Sequence, residues 1–364
     1  MSVRIGSRLF KVDTNLSTRR AVSLSANADA PALPRNIPIP TSFNDPRVAV
    51  NAKDVESSVA TMRPGMARPV DQTDCGQCYI VATLQHFHDA LAVRDPTVPD
   101  FSSLYVLMYM ETGCGGGSPI DVNSFVAQHG VIPDDADDNR FALRRYADSP
   151  PETLQRDVPA LREQMNAFMQ SARSQGTRFF KTKPQVSVFG EMHRNDPSPV
   201  EHPESMDTIK RYILTQGSVV FAMPVREDFQ RYWSNNGNER PYITDPSSPM
   251  IGGHAIVCVG WNDSAPIPYW VVRNSWGATG PLRNGYGRLA MFWPGGHDGQ
   301  PEYNRELWLG SNANALGGIM AVHASGEVDR RGILMPFEAS VHTSNLSIDG
   351  GSERAKVVAV YTTV

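Results

Sequence analysis

The sequence predicts an α+β protein. Apolar residues at helical spacing dominate residues 37–217, and apolar strand-like runs punctuated by Gly and Pro dominate residues 218–323. Helices first and strands second is an α+β layout.

The elements follow in order. Val3, Ile5, Leu9, Phe10 and Val12 suggest a short strand within an otherwise polar stretch at 1–36. The prolines of 37–44 suggest an extended segment. Ile80, Leu84, Phe87 and Leu91 lie on one stripe of a helix over 78–93, which Pro96 and Pro99 stop. Residues 102–109 read as a second helix, and 121–128 as a third with Gly130 just past its end. Leu161, Met165, Phe168 and Met169 mark a helix that starts after Pro159 and closes at Gly176. Residues 179–190 read as a strand, with turns at 134–138 and 195–199. Met206, Ile209, Tyr212 and Ile213 mark a helix ending at Gly217. Strands are expected at 219–225, 255–261, 269–272, 286–292 and 318–322, forming an antiparallel barrel or a strongly bent sheet. Residues 356–361 add one more strand, and no internal repeat is visible.

Composition narrows the function. A formal net charge of −4 points to neither nucleic acid nor an anionic membrane. An apolar content of 40% is ordinary for a globular chain. No window approaches the roughly 18 apolar residues of a membrane span. Residues 1–30 contain no secretory apolar core, because Arg4, Arg8, Lys11, Asp13 and Arg19 interrupt it.

The chemistry concentrates at Gln72-Thr73-Asp74-Cys75-Gly76-Gln77-Cys78-Tyr79. Cys78 stands at a helix start, where backbone N–H groups and the macrodipole favour an anion and so a thiolate. Downstream lie Gly252-Gly253-His254 and Asn274-Ser275-Trp276-Gly277. Cysteine, histidine and asparagine in that order form a nucleophile, base and orienter. Cys258, inside an apolar run, reads as a buried small hydrophobe. His86 and His88, two apart on a helix, face different sides and read as packing or solvent contacts rather than ligands.

These motifs resemble the papain-like cysteine proteases of the cathepsin type, whose signature is Cys-Gly-[Ser/Ala]-Cys-[Trp/Tyr]. The resemblance covers roughly residues 37–323. It implies a two-part fold, with a helical half carrying the cysteine, an antiparallel β-barrel-like half carrying the histidine, and a cleft between them. It implies a cysteine endopeptidase acting on peptide or protein substrates, with no cofactor and no metal. Gln72 takes the place of the oxyanion-hole glutamine, beside the Cys78 backbone N–H. Cys75 and Cys114 are implied as a disulfide. Gly116, Gly117, Gly253 and Trp276 are implied as substrate-binding residues, with Trp276 also implied to shield the Asn274–His254 contact.

The resemblance divides the chain into an N-terminal extension (1–36), a mainly helical half (37–217) with an insertion at 133–202, a β-rich half (218–323) and a C-terminal extension (324–364). The insertion follows from a Cys78-to-His254 spacing longer than the family's roughly 130–150 residues. The prefix lacks the helical periodicity of the family's inhibitory pro-segment, so any inhibition by it is expected as an extended strand across the cleft, with the 133–202 insertion as the competing candidate for a lid. The implied disulfide calls for an oxidising compartment, which sits uneasily with the absent secretory core. Departures from the signature are Gln77, where a small residue is usual, Tyr79 for the commoner Trp, and Ile80 for a small residue.

Two other classes fit the same residues. Cys75-Gly76-Gln77-Cys78 at a helix start also matches a dithiol redox motif, although 60–69 is broken by Pro and Gly rather than forming a buried strand. A non-enzymatic protein that keeps this fold is the other.

Overall fold

The computed structural model describes residues 66–134, 149–189 and 203–293, with short breaks, together with four strands outside those ranges. The expected extended segment at 37–44, the turns at 135–138 and 195–199, and the strand at 356–361 lie outside the described residues.

Six helices are described: α1 Cys78–Ala92, α2 Ser103–Tyr109, α3 Pro119–His129, α4 Pro151–Gln175, α5 Pro203–Gln216 and α6 Glu227–Ser234. The described strands are β1 Ser2–Ile5, β2 Arg8–Lys11, β3 Phe180–Phe189, β4 Val219–Arg226, β5 Met250–Asn262, β6 Tyr269–Arg273, β7 Tyr286–Ala290, β8 Phe292–Trp293, β9 Glu302–Tyr303 and β10 Gly318–Glu327. Strands β3 to β7 and β10 form one antiparallel sheet in the order β3-β10-β4-β5-β6-β7. The pairs β1–β2 and β8–β9 are separate two-stranded ribbons.

Helix α1 is the axis of the fold. The sequence shows one apolar stripe, yet every residue from Tyr79 to Ala92 is buried. A helix covered on all sides belongs in the middle of a core, and α1 packs on β5, β4 and β10 with α2, α3 and α5 around it. Fully burying side chains such as Ile80 or Phe87 is worth roughly 1.5–3 kcal/mol each. Its polar residues survive burial because each is bonded. Gln85 donates to the Arg68 carbonyl at 2.7 Å, His86 Nδ1 lies 3.1 Å from Ser218 Oγ, and His88 Nδ1 lies 2.9 Å from the Pro99 carbonyl.

The ends of the helices follow from local chemistry. The Ser102 hydroxyl caps α2 by accepting from Tyr105 N–H. Ser118 caps α3, with Pro119 in its first turn. Gly130 and Gly217 follow α3 and α5 with φ of 83° and 80°, as chain reversal in the left-handed region requires.

Four differences from the sequence reading stand out. Helix α4 begins at Pro151 and runs through Pro159 instead of starting after it. An interior proline costs about 3 kcal/mol, but the longer helix buries Leu154 along with Leu161 and Met165. Strand β5 begins at Met250, ahead of its apolar run, because β4 supplies backbone pairing as far as Arg226↔Met250. Helix α6 was not anticipated, although Phe229, Tyr232 and Trp233 are spaced to bury one helical face. The short strand expected near the N-terminus is two strands, β1 and β2, paired with each other.

Candidate active site

Cys78 is the first residue of α1 and keeps partial exposure, while Tyr79 directly after it is buried. The Tyr79 N–H is hydrogen-bonded to the Cys78 sulfur, while the Ile80 and Val81 N–H groups donate to the Gln77 carbonyl. His254 comes from β5, opposite Met223 of β4, and is 7% exposed. Asn274 directly follows β6 and is fully buried. A β-bulge at Val259, where the β5–β6 register shifts between Cys258 and Gly260, adjusts how these two strands bring His254 and Asn274 together.

The contacts form a chain. His254 Nε2 lies 2.7 Å from Asn274 Oδ1, which also accepts from Ser275 N–H at 2.7 Å. The other ring nitrogen, Nδ1, is left for Cys78, with which His254 is hydrogen-bonded. The Trp276 ring stacks on His254, centroids 4.8 Å apart and planes 28° apart. Phe229 and Trp233 of α6 hold Trp276 from its edges, at 5.7 and 6.1 Å. The unforeseen helix therefore packs against the ring that stacks on His254.

The electrostatics of the pair agree from both sides. Burial pushes the Cys78 thiol up, but the neighbouring His254, its hydrogen bond and those from the Ala255 and Tyr79 backbone outweigh this, and the thiol lies below its ordinary value. Burial pushes His254 down, yet the Cys78 charge and the bonds to Cys78 and Asn274 leave it raised. Each shift favours the charged form of its own group, the direction that a thiolate–imidazolium pair requires.

Gln72 is held by a short two-stranded contact. Its N–H donates to the Ser275 carbonyl at 2.8 Å, Asp71 bridges to Trp276, and Gly277 N–H donates to the Val70 carbonyl. The Ser275 hydroxyl donates to Gln72 Oε1, and Gln72 Nε2 donates to the Cys75 carbonyl at 2.9 Å. An amide nitrogen carries two hydrogens, so one N–H of Gln72 remains for a further acceptor. Ser275 is a site residue that the sequence reading quoted within its motif without giving it a role.

Cys75 is bonded to Cys114, with Cα atoms 4.7 Å apart, and Cys78 is free. Cys75 is therefore no partner for Cys78, as a dithiol redox motif would need. Gly116 adopts φ +86°, and a side chain there would meet open space. Gly117 differs, because a Cβ at that position would come within 2.6 Å of the Tyr79 ring. Its bareness thus serves packing against α1 as well as any peptide lying above. Gly253 is exposed on β5 next to His254, opposite Pro224. Cys258 is buried far from this chemistry, its thiol pushed well up by burial. No group of metal-ligating side chains exists among the described residues.

The chain is similar to several known proteins. A sequence model of the papain family cysteine proteases matches residues 58–293. Cathepsin B-like cysteine proteinase 5 of Caenorhabditis elegans is 26% identical over 218 residues, covering 57% of this chain and 60% of that protein. A probable cysteine proteinase 361L of Invertebrate iridescent virus 6 is 24% identical over 282 residues, covering 62% of this chain and 50% of the viral protein. Among solved structures, procathepsin B S9 of Trypanosoma congolense aligns with a TM-score of 0.46 at 15% identity, covering 79% of each chain. The chain thus spans about half to two thirds of the curated relatives it matches. The family match takes in well over half of the sequence and includes Cys78, His254 and Asn274, so the chain belongs to the papain family of cysteine proteases.

Proposed function

We propose that the protein is a cysteine endopeptidase with Cys78 as nucleophile, His254 as acid and base, Asn274 as orienter, and an oxyanion hole formed by Gln72 and the Cys78 N–H. The observation that carries this reading is the continuous contact from Cys78 through His254 to Asn274, with both titrating groups shifted toward their charged forms.

The chemistry then runs in two halves. The Cys78 thiolate adds to the scissile carbonyl carbon, and the carbonyl electron pair moves to oxygen. The remaining Gln72 amide hydrogen and the Cys78 backbone N–H stabilise that oxyanion. The imidazolium gives its proton to the leaving amine, the C–N bond breaks and a thioester remains. His254, now neutral, takes a proton from water as the water attacks the thioester. Collapse releases the acid and restores the ion pair. Asn274 keeps the ring plane fixed throughout, and Trp276 keeps water from the Asn274 contact.

Gly116, Gly117 and Gly253 are assigned to the substrate backbone, which lies close where side chains are missing. The same reading divides the chain into a helical half (37–217, with an insertion at 133–202) and a β-rich half (218–323) with the cleft between them, flanked by extensions 1–36 and 324–364. The Cys75–Cys114 bond supports an oxidising compartment, as in secretory or lysosomal settings. Among the described residues no helix is long and apolar enough to cross a membrane.

The test is hydrolysis of a fluorogenic peptide amide by the full chain and by Cys78→Ala, with a vinyl-sulfone probe titrating the thiol. Hydrolysis that requires Cys78 and stops on labelling supports the reading. A chain whose Cys78 labels fully but which cleaves nothing in a mixed peptide library would be a non-enzymatic member of the family.

A further inference from the structure

Gln77 occupies the position before Cys78 where the cathepsin-type signature has a small residue, and its side chain has no solvent exposure. It stands at the N-cap of α1, yet makes no side-chain capping bond to the helix. Its Nε2 reaches back instead and donates to the backbone carbonyl of Gln72 at 3.3 Å. Its own N–H donates to the Cys75 carbonyl at 2.8 Å, the oxygen that also accepts from Gln72 Nε2. The Gln77 side-chain carbonyl is buried without a hydrogen-bond partner among the described residues.

These facts weigh against a packing role. A buried unpaired carbonyl costs about 1–3 kcal/mol, and an apolar side chain of the same length fills the same volume without that cost. Only the amide N–H of Gln77 does something an apolar residue cannot, and its acceptor is Gln72. With this bond Gln72 is held at both peptide groups and both side-chain atoms. Ser275 takes its N–H and its Oε1, Cys75 takes its Nε2, and Gln77 takes its carbonyl.

We propose that Gln77 is a positioning residue whose amide fixes the Gln72 backbone, and thereby aims the free Gln72 amide hydrogen at the oxyanion. The inference rests on the peptidase reading above. Gln77 touches neither substrate nor the reacting atoms, so it acts through Gln72 alone.

The experiment is a double-mutant cycle with Gln77→Met and Gln72→Ala in the full chain. Gln77→Met keeps the volume and removes both the useful N–H and the unpaired carbonyl. It should leave the thermal midpoint equal or higher while lowering kcat about tenfold, with KM within about twofold, because only the transition-state oxyanion is affected. Alkylation of Cys78 by iodoacetamide, which forms no oxyanion, should keep its rate and pH profile. In the Gln72→Ala background Gln77→Met should cost nothing further. Equal losses in both backgrounds, or a parallel fall in alkylation, would overturn the role of Gln77. Should the parent chain cleave no peptide amide, the peptidase reading fails separately. The Gln72 side-chain amide signal in a 15N-glutamine-labelled sample then decides about Gln77. A shifted, faster-exchanging signal in Gln77→Met supports the positioning contact, and an unmoved one overturns it.

Discussion

Ser275 grips Gln72 at two points, accepting its backbone N–H at 2.8 Å and donating its hydroxyl to the side-chain carbonyl. The serine lies directly after Asn274, so one turn of chain serves both the proposed orienter and the proposed oxyanion donor. The grip sets which way the Gln72 amide faces, because a side-chain carbonyl held by a hydroxyl fixes where the NH2 points. Removing an oxyanion donor outright costs about 2.7–4 kcal/mol of barrier. Gln72→Ala should therefore lower kcat roughly a hundredfold or more, and Ser275→Ala by about tenfold. Neither should slow alkylation of Cys78 by iodoacetamide. Steady-state kinetics beside alkylation rates separates the oxyanion from the thiolate.

The two free cysteines should behave oppositely. Cys78 is partly exposed, with its thiol below the ordinary value. Cys258 is wholly buried on β5, its thiol pushed well up and directed at the Gly260 carbonyl. Cys78→Ala should abolish hydrolysis and probe labelling, while Cys258→Ser should retain nearly all of both. Comparable loss in the two variants would remove Cys78 from its role.

The pH profile follows from the paired shifts. The Cys78 value is lowered, so the thiolate is present above that value and is lost as pH falls through it. The His254 value is raised, so the imidazolium is present below that value and is lost as pH rises through it. The plot of kcat/KM against pH should be a bell. Its acid limb lies below the ordinary cysteine value of about 8.5 and its basic limb above the ordinary histidine value of about 6.5. The Asn274 bond is one cause of the raised His254 value. Asn274→Ala should therefore move the basic limb toward lower pH, besides lowering the rate. A basic limb that stays in place would show that Asn274 does not tune the ring.

Much of this site was legible in the residues, and the reasons are local. A reactive cysteine needs a helix start, and the spacing of Ile80, Leu84 and Phe87 after Cys78 announced one. His254 and Asn274 were legible through the short motifs around them and their order along the chain. What could not be read were relations between distant segments. The apolar stripe of α1 gives no hint that Gln85, His86 and Asp89 are buried too, because their partners Arg68, Ser218 and Arg273 lie elsewhere in the chain. The start of β5 depended on backbone pairing with β4 rather than on its own side chains. Helix α6 did leave a trace in Phe229, Tyr232 and Trp233. It is short, and its role became visible only when Trp276 was found against it.

Asp89 on α1 and Arg273 at the end of β6 form a fully buried ion pair at 2.7 Å. Its remaining hydrogen-bonding capacity is taken up. The Ser218 hydroxyl and the Ala67 N–H donate to Asp89, while Arg273 donates to Gln85 and to the Ala67 carbonyl. Arg273 immediately precedes Asn274, so the pair anchors the orienter to the helix that carries Cys78. Removing one partner of such a pair strands the other charge and typically costs about 3–5 kcal/mol. Asp89→Ala should lower the unfolding free energy from chemical denaturation by that much, and Asp89→Asn, which can still accept from Arg273, by less. A loss below about 1 kcal/mol for Asp89→Ala, the scale of a surface pair, would show that the network does not brace the core.

The Cys75–Cys114 bond closes a loop with a sequence separation of 39 residues. The bond lies where several contacts of the site meet. Gly76 N–H donates to the Cys114 carbonyl at 3.0 Å, and the Cys75 carbonyl accepts from Gln72 Nε2. Cross-linking a loop of this size typically contributes about 2–4 kcal/mol, chiefly by restricting the unfolded chain. The double variant Cys75→Ser with Cys114→Ser should lose that amount in chemical denaturation. It should also lose kcat more than KM, because the Cys75 carbonyl no longer holds the Gln72 amide in a fixed place. Peptide mapping without reduction should recover Cys75 and Cys114 in one linked fragment, with Cys78 alkylated alone. Two free thiols at these positions in natively isolated protein would instead mean that the chain works in a reducing compartment, and that α1 and the glycine loop are held together by packing and hydrogen bonds alone.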